Sequence, residues 1–100
     1  MNRFTTPHFI FTLPFDTSQI KRIRVYFEQA GELILKKTTE HCHLEGKEIK
    51  TRLSQEETAL FDCTQNAKVQ LHILTNTDEA MLSTPYNIFV GECLGDEVLS

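Results

Sequence analysis

The stretch Ile23-Arg24-Val25-Tyr26-Phe27-Glu28-Gln29-Ala30-Gly31-Glu32-Leu33-Ile34-Leu35-Lys36-Lys37 decides the fold class. Ile23, Val25 and Phe27 fall on one side of an extended chain and Arg22, Arg24, Tyr26 and Glu28 on the other, the two-residue period of a half-buried strand. Gln29-Ala30-Gly31-Glu32 follows as a short Gly-containing loop and a second apolar run opens at Leu33, so the stretch predicts a β-hairpin. The same pattern recurs on both sides of it. Phe9, Phe11 and Leu13 alternate with Ile10 and Thr12 until Pro14, which has no N–H to give to a ladder. Cys42 and Leu44 lead into a turn at Glu45-Gly46-Lys47 and on to Ile49, Thr51 and Leu53, whose intervening Glu48, Lys50 and Arg52 are charged. Val69, Leu71 and Ile73 alternate with Lys68, Gln70 and His72, and Asn76-Thr77-Asp78 turns the chain towards Met81 and Leu82. Pro85 precedes Ile88-Phe89-Val90, marking either an edge strand or a strand that changes sheets.

Composition agrees. The chain has 12 Thr, 7 Ile, 7 Phe, 4 Val and 2 Tyr against only 4 Ala, a choice that suits pleated, half-buried surfaces rather than helices. One segment departs from the strand period. Ser54 and Glu57 have the S-x-x-E spacing of a capping box, so a short helical crossover is expected near residues 54–61, with Leu60 and Phe61 closing the core and Gln55, Glu56 and Thr58 facing water. About seven or eight strands spaced roughly ten residues apart, with that one crossover, give an all-β reading: an antiparallel β-sandwich, immunoglobulin-like or related, with a small barrel as the alternative. One hundred residues hold one core, so residues 9–100 are read as a single domain and residues 1–8 as an N-terminal arm that stays loose unless it packs on a partner.

The same features narrow function. A net charge of −4 with scattered Lys and Arg offers no basic stripe for a phosphate backbone, which argues against nucleic acid. Apolar runs such as Leu33-Ile34-Leu35 are far short of a membrane span, and Met1 to Pro7 lacks the apolar stretch of a secretory signal, which places the chain in the cytoplasm. Cys42, Cys63 and Cys93 are odd in number and show no C-x-x-C spacing, so they are read as buried free thiols. His41-Cys42-His43 has the look of a metal tripeptide, but on a strand the two imidazoles face away from the thiol, and even with His72 or His8 a full ligand set is lacking. Glu56 and Glu57 are adjacent and do not face one another on a helix, so they form no acid–base pair. With no nucleophile–base pair at motif spacing and no Gly-rich phosphate loop, no residue is assigned a catalytic, cofactor-binding or metal-ligating role, and the chain is read as a non-enzyme. Tyr26 and Tyr86 are the only aromatic candidates for a carbohydrate platform.

Two likenesses bear on the reading. Leu53-x-x-Glu56-Glu57-Thr58-Ala59-x-Phe61-x-Cys63 resembles the segment before the second cysteine of antibody variable domains; the chain has no Trp and Cys42 lies too near Cys63 to be the first cysteine, so the likeness is local and supports the sandwich alone. A second covers nearly the whole chain. Thr5-Thr6-Pro7, Phe9 to Ser18 with Ile20, Ile23 to Gln29, Glu45-Gly46, Leu53 to Thr58 with Phe61, Val69 to Thr75 and Glu97-Val98-Leu99 resemble, in kind and order, a family of roughly 100-residue proteins encoded in phages and prophages of Gram-positive bacteria. Ser54 stands where that family's pattern has Thr, which keeps the cap, and His41-Cys42-His43 has no counterpart in it. The resemblance implies a non-enzymatic structural or assembly role in the host cytoplasm or in the virion. Its partners would be other copies of the chain or phage tail, neck or head proteins, reached through a sheet edge, the N-terminal arm or the segment around Pro85. The alternative is a small phage-encoded module that regulates or inhibits a host protein.

Overall fold

Eight strands and one short helix build two antiparallel sheets in the computed structural model, which describes residues 1–100. The first sheet has the order β1 (His8–Thr12), β5 (Glu48–Arg52), β4 (Cys42–Glu45). The second runs β3 (Glu32–Thr38), β2 (Ile20–Gln29), β6 (Ala67–Thr75), with β7 (Ala80–Leu82) and β8 (Tyr86–Ile88) both on the far side of β6. Helix α1 (Gln55–Thr58) follows β5 and precedes β6. No ladder joins the two sheets, so they do not close into a barrel.

The core forms where the apolar faces meet. Ile23, Val25 and Phe27 of β2 and Ile49 of β5 are fully buried, with Val69 and Leu71 of β6 beside them. Phe27 carries the junction. Its ring meets Phe9 of β1 edge-on at 5.2 Å and Phe61, just past α1, at 6.2 Å. Aromatic pairs in this geometry contribute beyond their buried area.

The central hairpin is the one read from the sequence, with β2 and β3 pairing Gln29 with Glu32 across a two-residue turn. Ala30 and Gly31 have φ of 53° and 79°, the left-handed pair that a twisted hairpin favours. Gly adopts such a φ freely; Ala30 pays about 1 kcal/mol for it. Replacing Ala30 with Asn, which tolerates that region, should therefore raise stability by about 1 kcal/mol, seen as a higher urea midpoint at unchanged slope. Beyond the turn the register slips by one residue between Phe27 and Glu28, which inserts Ile34 as a bulge in β3.

Gln29 is not a free turn residue. It is buried, and its amide donates to the carbonyls of Asp62 and Gln65 (2.6 and 3.0 Å) while its Oε1 accepts the Asp62 N–H at 2.7 Å. One side chain thus pins the loop between α1 and β6 to β2. Gln29→Ala would strand an amide N–H and two carbonyls, a cost of about 2 kcal/mol. Hydrogen exchange at residues 62–66 should accelerate more than at the β6 amides.

The crossover has its capping box: Ser54 Oγ accepts the Glu57 N–H at 3.1 Å and Glu57 Oε1 accepts the Ser54 N–H at 2.8 Å. Two expectations reverse there. Thr58 is fully buried and Leu60 is 59% exposed, because Thr58 faces the N-terminal segment: its Oγ1 donates to the Thr5 carbonyl at 2.9 Å and accepts the Thr5 N–H at 3.1 Å. Phe61 alone closes the core. The same contacts correct the loose arm. Residues 1–7 are tied down by Thr5, by Arg3 donating to the Ala59 carbonyl at 3.0 Å, and by a bridge from Asn2 to Gly91. A Cβ on Gly91 would meet the end of the exposed Asn2 side chain, which would have to turn aside.

Pro85 does not send the chain to the other sheet. Strands β7 and β8 run in the same direction along one edge of β6, pairing Leu82 with His72 and Tyr86 with Val69, so Ser83-Thr84-Pro85 bulge opposite Gln70-Leu71 within one interrupted edge strand. The bulge is internally satisfied. Leu71 N–H donates to Ser83 Oγ, Ser83 N–H to the Leu71 carbonyl, and the Gln70 amide to the Ser83 carbonyl, each at 2.9 Å.

Candidate functional site

Four strand edges are left open by this topology, and they are not alike. The edge of β3 carries Glu32, Lys36 and Lys37 and is bent by its bulge. That of β4 is four residues long, with His43 and Glu45 3.5 Å apart and Lys50 3.8 Å from the same carboxylate. Strands β7 and β8 present an edge broken by Pro85. Charge, bulges, short length and proline are the usual means by which an edge is kept from pairing with another chain.

Strand β1 has none of them. His8-Phe9-Ile10-Phe11-Thr12 contains no Lys, Arg, Asp, Glu or Pro, and its register with β5 is unbroken from His8–Arg52 to Thr12–Glu48. The parity of its backbone is fixed at both ends, where Leu53 N–H donates to the Pro7 carbonyl (3.1 Å) and Leu13 N–H to the Lys47 carbonyl (2.8 Å). Odd-numbered residues therefore bond to β5, and the N–H and C=O groups of His8, Ile10 and Thr12 point away from the sheet. Ile10, at the middle, is 57% exposed.

Beside this edge lies an apolar groove. It occupies about 470 Å³ between β1 and β8, walled by Phe9, Phe11, Leu13, Leu71, Tyr86 and Ile88, with Thr12 and Ser83 its only polar lining. Phe9 and Phe11 are only half-buried, so each ring has one side against the core and one side open. Such a groove selects apolar side chains of an extended segment rather than a polar metabolite.

The residues singled out from sequence fall elsewhere. His41 turns back onto Thr38, its Nδ1 3.0 Å from the Thr38 hydroxyl, and His43 sits by Glu45. No group of three or more His, Cys, Asp and Glu comes together with metal-ligand geometry. All three thiols are free, but none is buried: Cys63 is exposed and Cys42 and Cys93 are half-exposed, because Cys63 and Cys93 lie outside any strand and Cys42 is on the β4 edge. Partial burial pushes the Cys42 thiol up. Tyr26 is engaged edge-on by His72 at 4.6 Å and Tyr86 lines the apolar groove, so the two do not form one platform. The largely buried ion pair of Lys37 with Glu57 had no sequence signal; at 2.7–2.8 Å it joins β3 to α1.

The geometry defines a mostly-β protein of two sheets, eight strands and one short helix, with no helix long and apolar enough to cross a membrane. No protein family, curated protein or solved structure matches it.

Proposed function

We propose that the chain is a non-enzymatic structural or assembly protein, encoded by a phage or prophage, that works by protein–protein contact along the open edge of β1. The observation that carries this reading is the pairing of unpaired main-chain groups at His8, Ile10 and Thr12 with an apolar groove alongside. That is the equipment needed to accept an added strand, in which main-chain hydrogen bonds supply affinity and pockets for alternate side chains supply selectivity. Its place of action is the bacterial host cytoplasm or the assembled virion.

At the finer level the fold is read as an immunoglobulin-like sandwich. Taking β1 to β7 as strands B, C, C′, D, E, F and G, the orders β1-β5-β4 and β3-β2-β6-β7 become B-E-D and C′-C-F-G. The short helix α1 then falls between E and F, where the Leu53-x-x-Glu56-Glu57-Thr58-Ala59 segment resembles the antibody pattern. The strand that immunoglobulin domains place beside B has no counterpart among residues 1–100, and this supports β1 as the open edge.

Affinity capture on the tagged full chain, from bacteria producing the phage particle and with captured proteins identified by mass spectrometry, tests the functional reading. Recovery of virion structural proteins or of untagged copies of the chain is expected. Recovery of a host enzyme in their place would overturn it in favour of a host-directed regulator.

A further inference from the structure

We infer that the strand accepted by the β1 edge is β1 of a second copy, in a two-fold dimer whose axis passes beside Ile10. This deepens the functional reading above and rests on its choice of β1 as the working edge.

The sequence of β1 suits antiparallel pairing with itself. A two-fold at Ile10 sets Ile10 opposite its copy, His8 opposite Thr12 and Phe9 opposite Phe11. Because His8, Ile10 and Thr12 are the residues whose N–H and C=O groups point outward, each of these three falls in a hydrogen-bonded pair, giving about six new main-chain bonds. Any other parity would set outward groups against residues whose bonds are already spent on β5. Phe9 and Phe11 then occupy the closer, non-hydrogen-bonded pairs, where cross-strand aromatic contacts are strongest. Each copy's half-buried rings gain a neighbour, and the incoming rings enter the groove that Leu71, Tyr86 and Ile88 leave open. On the opposite face the 57%-exposed Ile10 side chains cover one another.

Charge agrees with this registry. Strand β5 places Arg52 beside His8 and Glu48 beside Thr12. The two-fold brings His8 opposite Thr12 of the second copy, so Arg52 shares a row with Glu48 of that copy at each end of the seam; in the central row the two Lys50 residues are separated by both Ile10 strands, and each lies 3.8 Å from Glu45 and from Glu48 of its own copy. Pro14, whose missing N–H would point outward, ends the ladder where it falls opposite Thr6 of the second copy. The product is a closed six-stranded sheet, β4-β5-β1 continued by its symmetry mate.

Sedimentation velocity of the full chain from micromolar to millimolar concentration tests the inference. The wild-type chain should dimerise, and Ile10→Lys, which sets two ammonium groups directly against each other on the axis, should weaken the dimer by about 100-fold or more. At concentrations where wild type is monomeric, the circular dichroism and urea midpoint of that variant should match it, since the site is exposed in the monomer. Should the variant misfold, Ile10→Cys in a Cys63→Ser/Cys93→Ser background decides the matter, because the two sulfurs meet across the axis and should oxidise to a disulfide-linked dimer, while Leu82→Cys on the opposite edge should not. A wild-type chain that stays monomeric throughout overturns the inference. So does a dimer that Ile10→Lys leaves intact. The functional reading fails separately: it survives a monomer whose capture of virion proteins is abolished by Ile10→Lys, and it falls if capture is indifferent to that change.

Discussion

Phe27→Ala should destabilise the chain by about 4 kcal/mol, the upper range for loss of a buried aromatic. Phe27 is fully buried and its ring is the piece shared by the two sheets, with Phe9 on one side and Phe61 on the other. The two partners cannot collapse together to fill the space, since Phe9 is held by the β1–β5 ladder and Phe61 by the helix turn before it, so the cavity persists and adds to the lost transfer energy. For a domain with the usual stability of roughly 5–15 kcal/mol, the variant will be largely unfolded or marginal. Phe27→Leu, which keeps most of the volume, should cost less than half as much. Urea unfolding of the three chains measures the ranking. An alanine variant within 1 kcal/mol of wild type would show that the two sheets do not depend on each other.

Loss of Glu57 is the second large effect. Its carboxylate takes the Lys37 ammonium at 2.7–2.8 Å and the Ser54 N–H at 2.8 Å, so one group caps α1 and ties it to β3. Burial raises its pKa, but the Lys37 ammonium and the Ser54 N–H outweigh that and hold the carboxyl below its ordinary value. Glu57→Ala leaves Lys37 buried without a counter-charge and removes half the capping box. The pair retains some solvent access, so the expected cost is about 2–3 kcal/mol, below that of a fully enclosed pair. The double variant Lys37→Met/Glu57→Gln should cost less than the two single changes added together, because neither charge is then left alone. The pH dependence follows from the direction of the shift. Folding lowers the Glu57 pKa, so its stabilisation is complete above the unfolded carboxylate value of about 4.3 and drains away as pH falls through the lower folded value. Glu57→Gln should flatten that acid limb of the stability curve while leaving its shape above pH 6 unchanged.

The parts of this structure that were legible in the sequence are those set by neighbours in the chain. Ile23, Val25 and Phe27, and Val69, Leu71 and Ile73, advertise their buried faces by alternation alone. Ala30-Gly31 and Gly46 mark two hairpin turns by the left-handed backbone they need, and the Ser54–Glu57 box marks the only α-helix. The misread positions are decided at long range. Thr58 is buried because the backbone of Thr5, 53 residues earlier, bonds to it, and a single turn of helix has no period from which to tell its inner face. Lys37 reads as a solvated charge until Glu57 arrives 20 residues later. Gln29 reads as part of a turn until the Asp62 loop folds onto it. The β1 edge was hidden for the same reason: His8-Phe9-Ile10-Phe11-Thr12 announces a strand, but only the sheet order shows that nothing lies beside it.

The claim that β1 is a working edge rests on the outward direction of three amides, and residue-resolved hydrogen exchange reads those amides one by one. Phe9 and Phe11, bonded to β5, should be protected at every protein concentration. Ile10 and Thr12 should exchange rapidly in dilute solution and become protected as concentration rises, with Ile10→Lys removing that concentration dependence. Protection at residues 10 and 12 that does not change on dilution would contradict the open edge itself, and fast exchange there up to millimolar protein would contradict the dimer.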